Sequence, residues 1–356
     1  MPLKLPSVSR KVLSIDFGSK EIKVIEGKYS KNNIQIFKAI TIPVEPHFYK
    51  DGEILDKDML VTLLKDALKE HKISTDLAYG IINSSNIITR EITIPKVPEK
   101  EIASIIGYQL DEYLPVDPED YEVEHLLLRS KTEGEVEKLD ILLIGVLKDM
   151  VISHLELMKS AGLKPQVLDY QGNAMAKLLK YNGLVNDFYN TRDLVIASID
   201  IGHNSSKLTV INNGNIEVAR VIDVGAESIN ENLLSFFDYS PEDIEKEIME
   251  IEDVSVTREE FTDYYRMLNI VRTTLTNLME KVEIVFRYYI TRETGNTINY
   301  ILLQGGLSNM KGIDNLFSNY FNIPSVKLTS LDKLKWNGEI SKFSNAIGGL
   351  IRSDEV

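Results

Sequence analysis

Ser198-Ile199-Asp200-Ile201-Gly202-His203-Asn204-Ser205-Ser206-Lys207 restates a pattern that the chain first makes at Ser14-Ile15-Asp16-Phe17-Gly18-Ser19-Lys20-Glu21-Ile22-Lys23. Each copy follows an apolar run, Lys11-Val12-Leu13 or Leu194-Val195-Ile196. Each then returns into a β-like segment, Val24-Ile25-Glu26-Gly27 or Leu208-Thr209-Val210-Ile211. A strand, a tight turn and a returning strand predict a β-hairpin. Glycine in the turn has no Cβ, so a ligand can come close. Successive backbone N–H groups and Ser hydroxyls in such a turn make a cradle for phosphate oxygens. Asp at the strand end suits Mg²⁺, which prefers carboxylate and water oxygens. One Asp-x-Gly hairpin is usually an ordinary turn. Two, about half a chain apart, predict duplicated domains facing each other across a cleft.

The bulk composition agrees with a multidomain globular chain. It has 356 residues, 43% hydrophobic and 26% charged, enough for two or more cores. A net charge of −14 argues against nucleic-acid binding, which needs a basic surface to displace counterions. The chain has no cysteine and 5 histidines, which excludes disulfides, thiolate metal sites and cysteine nucleophiles. The basic leader Met1 to Lys11 lacks a continuous apolar core, so a signal peptide is not expected. No run approaches the ~18 apolar residues of a spanning helix.

In chain order, residues 11–43 predict three strands, the third from Ile34 to Ile42. Met59, Leu60, Leu63, Leu64, Ala67 and Leu68 follow helical spacing behind a capping Asp56, and Leu77–Ile82 returns as a strand. Residues 87–166 look like an insertion of pattern β-α-β-β-α. Its first helix is expected from Pro98 to about Tyr113, where the prolines of Tyr113-Leu114-Pro115-Val116-Asp117-Pro118 stop it. Ile102, Ile105, Ile106 and Leu110 lie on that helix at helical spacing. Val167-Leu168-Asp169-Tyr170-Gln171-Gly172 leads from strand to helix. The second half opens with the repeated hairpin. Asp223-Val224-Gly225-Ala226 then enters a helix, and a long helix is expected from Arg258 to Tyr289. Ile298–Leu303 predicts a buried strand ending in Gln304-Gly305-Gly306-Leu307, where paired glycines let backbone lie close to a ligand. Phe343-Ser344-Asn345-Ala346-Ile347-Gly348-Gly349 carries small residues suited to a close helix approach.

These segments resemble, in order, five motifs of the actin-like ATPase superfamily: two phosphate hairpins, two connecting segments and an adenosine motif. The Tyr-Leu-Pro-Val-Asp-Pro segment, the hairpin after it and Ala161-Gly162-Leu163-Lys164-Pro165 are similar to the PilM family of type IV pilus assembly proteins and to its division relative FtsA. PilM is the closer match. The resemblance implies an α/β fold of duplicated ribonuclease H-like domains carrying a small α+β subdomain of the FtsA/PilM type. The implied boundaries are 1–86 and 167–190 for the first actin-like domain, 87–166 for the insert, 191–338 for the second domain with its helical part, and 339–356 for a helix returning to the first.

The resemblance also implies ATP with Mg²⁺ in the cleft. Asp16 and Asp200 would face the metal. Gly18, Ser19, Lys20, Lys23, Gly202, His203, Asn204, Ser205 and Gly225 would surround the phosphates, and Glu245, Gly305, Gly306 and Leu307 the nucleoside. Gln171, with Asp169 beside it, takes the position that orients attacking water. Relatives often carry a Lys where Ile248 stands, which predicts weak binding and at most slow hydrolysis. The implied partner is the N-terminal cytoplasmic peptide of a PilN-like membrane protein, held between insert and first domain with Ile102, Ile105, Ile106 and Leu110 in the groove. That places the chain in the cytoplasm, peripheral to the inner membrane through its partner, with self-association open. Two alternatives stay open, a nucleotide-free actin-like scaffold and a polymerising FtsA-like division protein. The latter expects a C-terminal linker and membrane helix; the sequence there is Ile351-Arg352-Ser353-Asp354-Glu355-Val356.

Overall fold

The computed structural model describes residues 10–114, 117–257 and 262–352, without the side chains of Glu133, Pro241 and Glu245. The expected leader over 1–9, the Pro115–Val116 pair, the start of the long helix at 258–261 and the tail after 352 lie outside the described residues.

The first half builds β1 (Val12–Asp16), β2 (Glu21–Tyr29), β3 (Ile34–Pro43), the ribbon β4 (Tyr49–Lys50) and β5 (Glu53–Ile54), α1 (Lys57–Glu70) and β6 (Leu77–Ile82). The insert follows: β7 (Ile88–Pro95), α2 (Glu99–Tyr108), α3 (Leu110–Tyr113), β8 (Tyr121–Glu133) and β9 (Val136–Leu147). The chain returns through α4 (Lys148–Ser160), β10 (Lys164–Tyr170) and α5 (Gln171–Tyr181), then a ribbon of β11 (Leu184–Val185) and β12 (Tyr189–Asn190). Because α4 packs into the core of the first domain and β10 pairs with β6, the insert ends near Leu147 and not at the expected 166. The second half has β13 (Val195–Ile201), β14 (Ser206–Asn212), β15 (Asn215–Ile222), α6 (Ala226–Phe236), α7 (Pro241–Glu250), α8 (Asp263–Arg292), β16 (Tyr300–Gln304), α9 (Ile313–Phe321), β17 (Ser325–Lys327) and α10 (Ile340–Gly349).

The duplication expected from the two hairpins is present in the topology. One sheet has the order β10-β6-β1-β2-β3 and the other β17-β16-β13-β14-β15. In both, the first three strands form an antiparallel meander and the later strands add in parallel beside the first. Antiparallel neighbours can follow a short turn, whereas each parallel addition needs a crossover. The register repeats as well. Asp16 stands opposite Lys23 across β1 and β2, and Asp200 opposite Lys207 across β13 and β14.

Helices α5 and α10 join the halves. Their Leu178, Leu179, Ile347 and Leu350 share one core with Ile25 of the first sheet, and with Ile196 and Leu302 of the second. Gly348 makes this contact close: a Cβ there would stand 2.1 Å from the Ala174 carbonyl oxygen of α5. Separate cores fill the outer faces, against α1 and α4 in the first half and against α6, α8 and α9 in the second.

The insert is a three-stranded antiparallel sheet, β7-β9-β8, with α2 on one face. The helix expected to run to Tyr113 breaks at Gln109, whose backbone (φ −119°, ψ 17°) leaves the helical region. Ile102 and Ile106 are buried against Ile92, Ile94, Ile141 and Leu143 of this sheet. They are therefore core residues of the insert and not groove residues. Leu110 packs only partly onto that core, and Ile105 is half-buried. The opposite face of the sheet carries Leu128, Leu142 and Ile144 into the shared core between the halves.

Candidate functional site

The two repeated hairpins face each other across a cavity of about 460 Å³, within the range of small-molecule sites. Its walls include Gly18, Ser19, Lys20 and Lys23 from the first hairpin, and Gly202, His203, Asn204, Ser205 and Lys207 from the second. Gln171, Asp200, Gly305, Gly306 and Leu307 also line it. Residues expected at one site from four separate segments, the two hairpins, the start of α5 and the Gly305 turn, thus converge on one cleft, whereas Asp16 and Gly225 are not among its lining residues.

Each hairpin ends its first strand on an Asp buried to within a few per cent of full coverage, Asp16 at 1% and Asp200 at 7% exposure. Each Asp accepts a hydrogen bond from an amide on one of the joining helices. Gln171 Nε2 donates to Asp16 Oδ1 at 2.8 Å, and Asn345 Nδ2 donates to Asp200 Oδ2 at 2.7 Å. Lys23 Nζ stands 3.9 Å from Asp16 Oδ2. Burial pushes the Asp16 carboxyl above its ordinary value, and Lys23 and the Gln171 amide only partly offset this. A buried carboxylate near a second carboxylate favours a bound cation.

Several buried side-chain atoms in and around the cleft have no hydrogen-bond partner in the protein: Asp16 Oδ2, Gln171 Oε1, Asn345 Oδ1, Asn204 Oδ1 and Gln304 Oε1. Such atoms are uncommon in folded proteins and call for a partner. All are acceptors, which water, a protonated ligand or a hydrated cation would satisfy. Among the described residues no group of three or more His, Cys, Asp or Glu converges as a metal cage. Two carboxylates and open acceptors fit Mg²⁺, which keeps several waters and shares its ligands with phosphate oxygens. The donor set fits that ion and does not fit zinc, which needs three or four protein ligands.

The second hairpin is stitched to α6. Ala226 N donates to Gly202 O at 3.0 Å and Glu227 N to His203 O at 2.9 Å. Gly225 permits this, since a Cβ there would stand 2.2 Å from His203 O. Asn204 Nδ2 is held by the Glu227 carboxylate, so its side-chain donor is already engaged. At the other end of the cavity Ile248, Met249, Ile251, Leu307 and Met310 offer apolar walls. Glu245 stands on α7, its side chain outside the described residues.

Asp169 is not part of this cleft. Its carboxylate pairs with Lys177 at 2.6 Å and accepts from Asn173 Nδ2 at 2.8 Å, while the Lys177 ammonium also reaches the Ile351 carbonyl. It ties β10 to α5 and to the returning chain, while Gln171, two residues on, already belongs to the helix and turns toward Asp16. Lys207 lines the cleft and was not among the expected residues. The signal was present, for it lies seven residues after Asp200 as Lys23 does after Asp16. Tyr49 on β4 and Asp51 and Asn83 on loops also reach the cavity, from segments that carry no motif.

Behind the first hairpin sits a buried pair. His154 Nδ1 lies 2.8 Å from the Met150 carbonyl oxygen and Nε2 3.1 Å from Tyr49 Oη. A carbonyl only accepts, so Nδ1 carries the proton and Nε2 accepts from the Tyr49 hydroxyl. The ring of Phe17, next to Asp16, meets His154 edge-on at 5.1 Å. Burial lowers the His154 pKa from 6.5 to about 4, against the raising influence of the Met150 bond. The unfolded chain then takes up a proton near pH 6.5 while the folded chain refuses it until about pH 4. Stability should fall as pH drops through this window, by roughly 3 kcal/mol at most. Denaturant unfolding of the parent and His154→Phe between pH 7 and 4 checks this: the variant should show the shallower loss, and parallel curves would remove His154 as the source.

The described residues include no helix long and apolar enough to cross a membrane. A family model described as type IV pilus assembly protein PilM matches residues 14–344. Among solved structures, the PilM-PilN type IV pilus biogenesis complex superposes with a TM-score of 0.78 at 18% identity, covering 96% of this chain and 98% of that one. The ethanolamine utilization protein EutJ from Carboxydothermus hydrogenoformans gives 0.59 at 12% identity, with 97% and 91% covered. MreB5 of Spiroplasma citri bound to ADP gives 0.53 at 13% identity, with 95% and 94% covered. At these identities the structures speak for a shared actin-like fold.

Proposed function

The chain belongs to the PilM family of type IV pilus assembly proteins, and from that premise we propose that it is a nucleotide-binding scaffold of the pilus assembly platform. The observation that carries the nucleotide half is the pair of facing hairpins, each lining one cavity with a turn glycine and a cross-strand Lys and each ending its first strand on a buried Asp. ATP with Mg²⁺ is the ligand. Asp16 and Asp200 face the hydrated metal, which supplies charge neutralisation for the phosphates when bound. Lys23 and Lys207 add positive charge, and the turns of both hairpins approach the phosphate oxygens. The apolar residues around Ile248 and Met310 take the nucleoside.

Turnover in this site is slow. Gln171 commits one N–H to Asp16 and has its amide oxygen without a protein partner to orient a water, and an amide is a poor base. Positioning and charge neutralisation carry most of phosphoryl transfer, so the site suits a structural or switching nucleotide better than a fast catalytic one. MreB5 bound to ADP, which shares the fold, supports the ligand class.

The second half of the proposal is the partner, the N-terminal cytoplasmic peptide of a PilN-like membrane protein, consistent with the fold shared with the PilM-PilN complex. It would lie between the insert and the first domain, tethering the chain to the inner membrane. Extended peptides gain main-chain hydrogen bonds and side-chain pockets in such grooves. Ile105 and Leu110 keep exposed surface for this, whereas Ile102 and Ile106 do not.

One experiment addresses both halves. Calorimetry with ATP and Mg²⁺ on the parent, Asp16→Ala and Asp200→Ala should show affinity weakened about tenfold or more in each variant, at least 1.4 kcal/mol. A pull-down with the partner peptide should retain both variants. No binding by the parent at millimolar ATP would leave a nucleotide-free scaffold, and no capture of the peptide by the parent would overturn the tether.

A further inference from the structure

Helix α10 touches the cleft at three points. Lys342 pairs with Glu21 of the first hairpin at 2.9 Å. The Ser341 carbonyl accepts from Gly305 N at 3.1 Å. Asn345, 4% exposed, donates to Asp200. Beyond them Gly348 abuts α5 at Ala174, and a Cβ on Gly349 would come within 2.5 Å of Ser14 Oγ on β1. The other joining helix, α5, holds Asp16 through Gln171. The two carboxylates are thus each gripped by an amide, and the two amides stand on helices that meet backbone to backbone.

Asp200 is held by one hydrogen bond and lies close against the Gly305 turn. Its Oδ2 accepts the Asn345 amide, and its Oδ1 lies where a Cβ of residue 305 would be, 2.3 Å away. A carboxylate only accepts, so the Asn345 group facing it is the NH₂, and Asn345 Oδ1 then points elsewhere without a protein partner. The buried donor fixes the rotamer of Asp200 and leaves its other oxygen toward the Gly305 turn. Hydrogen bonds that orient a metal-facing side chain tune affinity at a distance from the metal itself.

We propose that Asn345 is the positioning residue for Asp200, so that the seating of α10 between the halves sets how strongly the cleft binds Mg²⁺ with its nucleotide. This rests on the nucleotide reading above. Asn345 does not itself contact the phosphates; it acts through Asp200. The pseudo-symmetric partner is Gln171, but Gln171 lines the cavity and can touch ligand directly, whereas Asn345 is not among the lining residues. The effect of Asn345 should therefore separate cleanly into a metal-dependent part.

The test compares the parent with Asn345→Leu, of similar volume without a donor, Asn345→Ala and Ser341→Ala. The last alters the same buried helix face, and its hydroxyl has no hydrogen-bond partner. ATP affinity is titrated by calorimetry across Mg²⁺ concentrations and in excess chelator, with thermal melting as a check on folding. Asn345→Leu and Asn345→Ala should need on the order of tenfold more Mg²⁺ for half-maximal binding, with affinity in chelator within twofold of the parent. Ser341→Ala should follow the parent throughout. Equal losses with and without Mg²⁺, or the same shift in Ser341→Ala, would make Asn345 a packing residue and overturn the proposal. A parent that binds ATP equally well in chelator would overturn it while keeping the nucleotide reading. A parent that binds no ATP at all would remove both.

Discussion

Arg129→Met is expected to destabilise the protein by about 2 kcal/mol, because it leaves the buried Glu217 carboxylate without its cation. The partial exposure of Arg129 itself screens the cluster below the cost of a fully buried pair. Arg129 on β8 is the hub of a charge cluster between the insert and the second half. Its guanidinium reaches Asp140 at 2.9 Å, Glu217 at 2.9 Å, Glu293 at 3.1 Å and Glu91 at 3.8 Å. Asp140 is fully buried and Glu217 nearly so. Burial raises the Glu217 pKa, and Arg129 is the leading influence that lowers it again. Asp140 has other partners in Lys131 at 2.9 Å and Thr93 at 2.6 Å, but the hydrogen bonds to Glu217 come from Arg129.

Removing the cation leaves Glu217 to protonate or to draw in water. Denaturant unfolding at pH 7 should show the loss, and it should shrink as pH falls and Glu217 accepts a proton. Arg129→Met with Glu217→Leu should recover much of the stability, because replacing both partners by apolar groups of similar volume is often neutral. If the single variant melts like the parent, the cluster is a solvated surface network with little energetic weight. The cluster also matters for shape. Together with Arg292, which binds Glu91, it ties the insert to β15 and α8, giving the two halves a second bridge besides α5 and α10.

The other large effect is expected at Gly305. Its backbone lies at φ 84° and ψ 178°, a region open essentially to glycine alone. A Cβ there would also stand 2.3 Å from Asp200 Oδ1 and 2.7 Å from Ile201 O. Gly305→Val therefore cannot keep both the turn and the carboxylate in place. Nucleotide affinity should fall by about a hundredfold or more, since strain of roughly 1–3 kcal/mol adds to the loss of a positioned Asp200. Circular dichroism should report a folded protein, because the turn is one short segment at the cleft rim. Gly306→Ala is the contrast, as a Cβ at Gly306 meets nothing within 4 Å. It should bind more tightly than Gly305→Val, since the added methyl meets no protein atom and leaves Asp200 in place. Parent-like affinity in Gly305→Val would detach the turn from the site.

Much of the architecture was legible from local pattern. The Asp-x-Gly hairpins predicted the duplicated meanders, because turn chemistry and a two-residue alternation are properties of a few neighbouring residues. Helix α1 and strand β6 fall where spacing put them, and four of the five motifs line the cleft, the fifth reaching it only through the bond from Asn345 to Asp200. The break of the insert helix at Gln109 was not legible, since nothing at Gly107-Tyr108-Gln109 resembles a proline stop. The groove residues Ile102 and Ile106 show the limit of periodicity. It identifies an apolar helix face, but not whether that face meets the chain's own sheet or a partner. Asp169 shows the same limit, as its neighbour Gln171 points to the cleft while it pairs with Lys177.

Local pattern carried the repeated hairpins, the main strands and helices around them and the residue types at their turns, because these follow from contacts over a few residues. The short ribbons β4–β5 and β11–β12 and the α9–β17 unit were not read from it. Only the tertiary structure decided which distant groups meet. Gln171 reaches Asp16 across 155 residues of chain and Asn345 reaches Asp200 across 145. Arg129 finds Glu217 and Glu293 only when the insert docks on the second half. The direction of a side chain and the charge it meets depend on how whole layers pack, and close packing admits few alternatives once the backbone is placed.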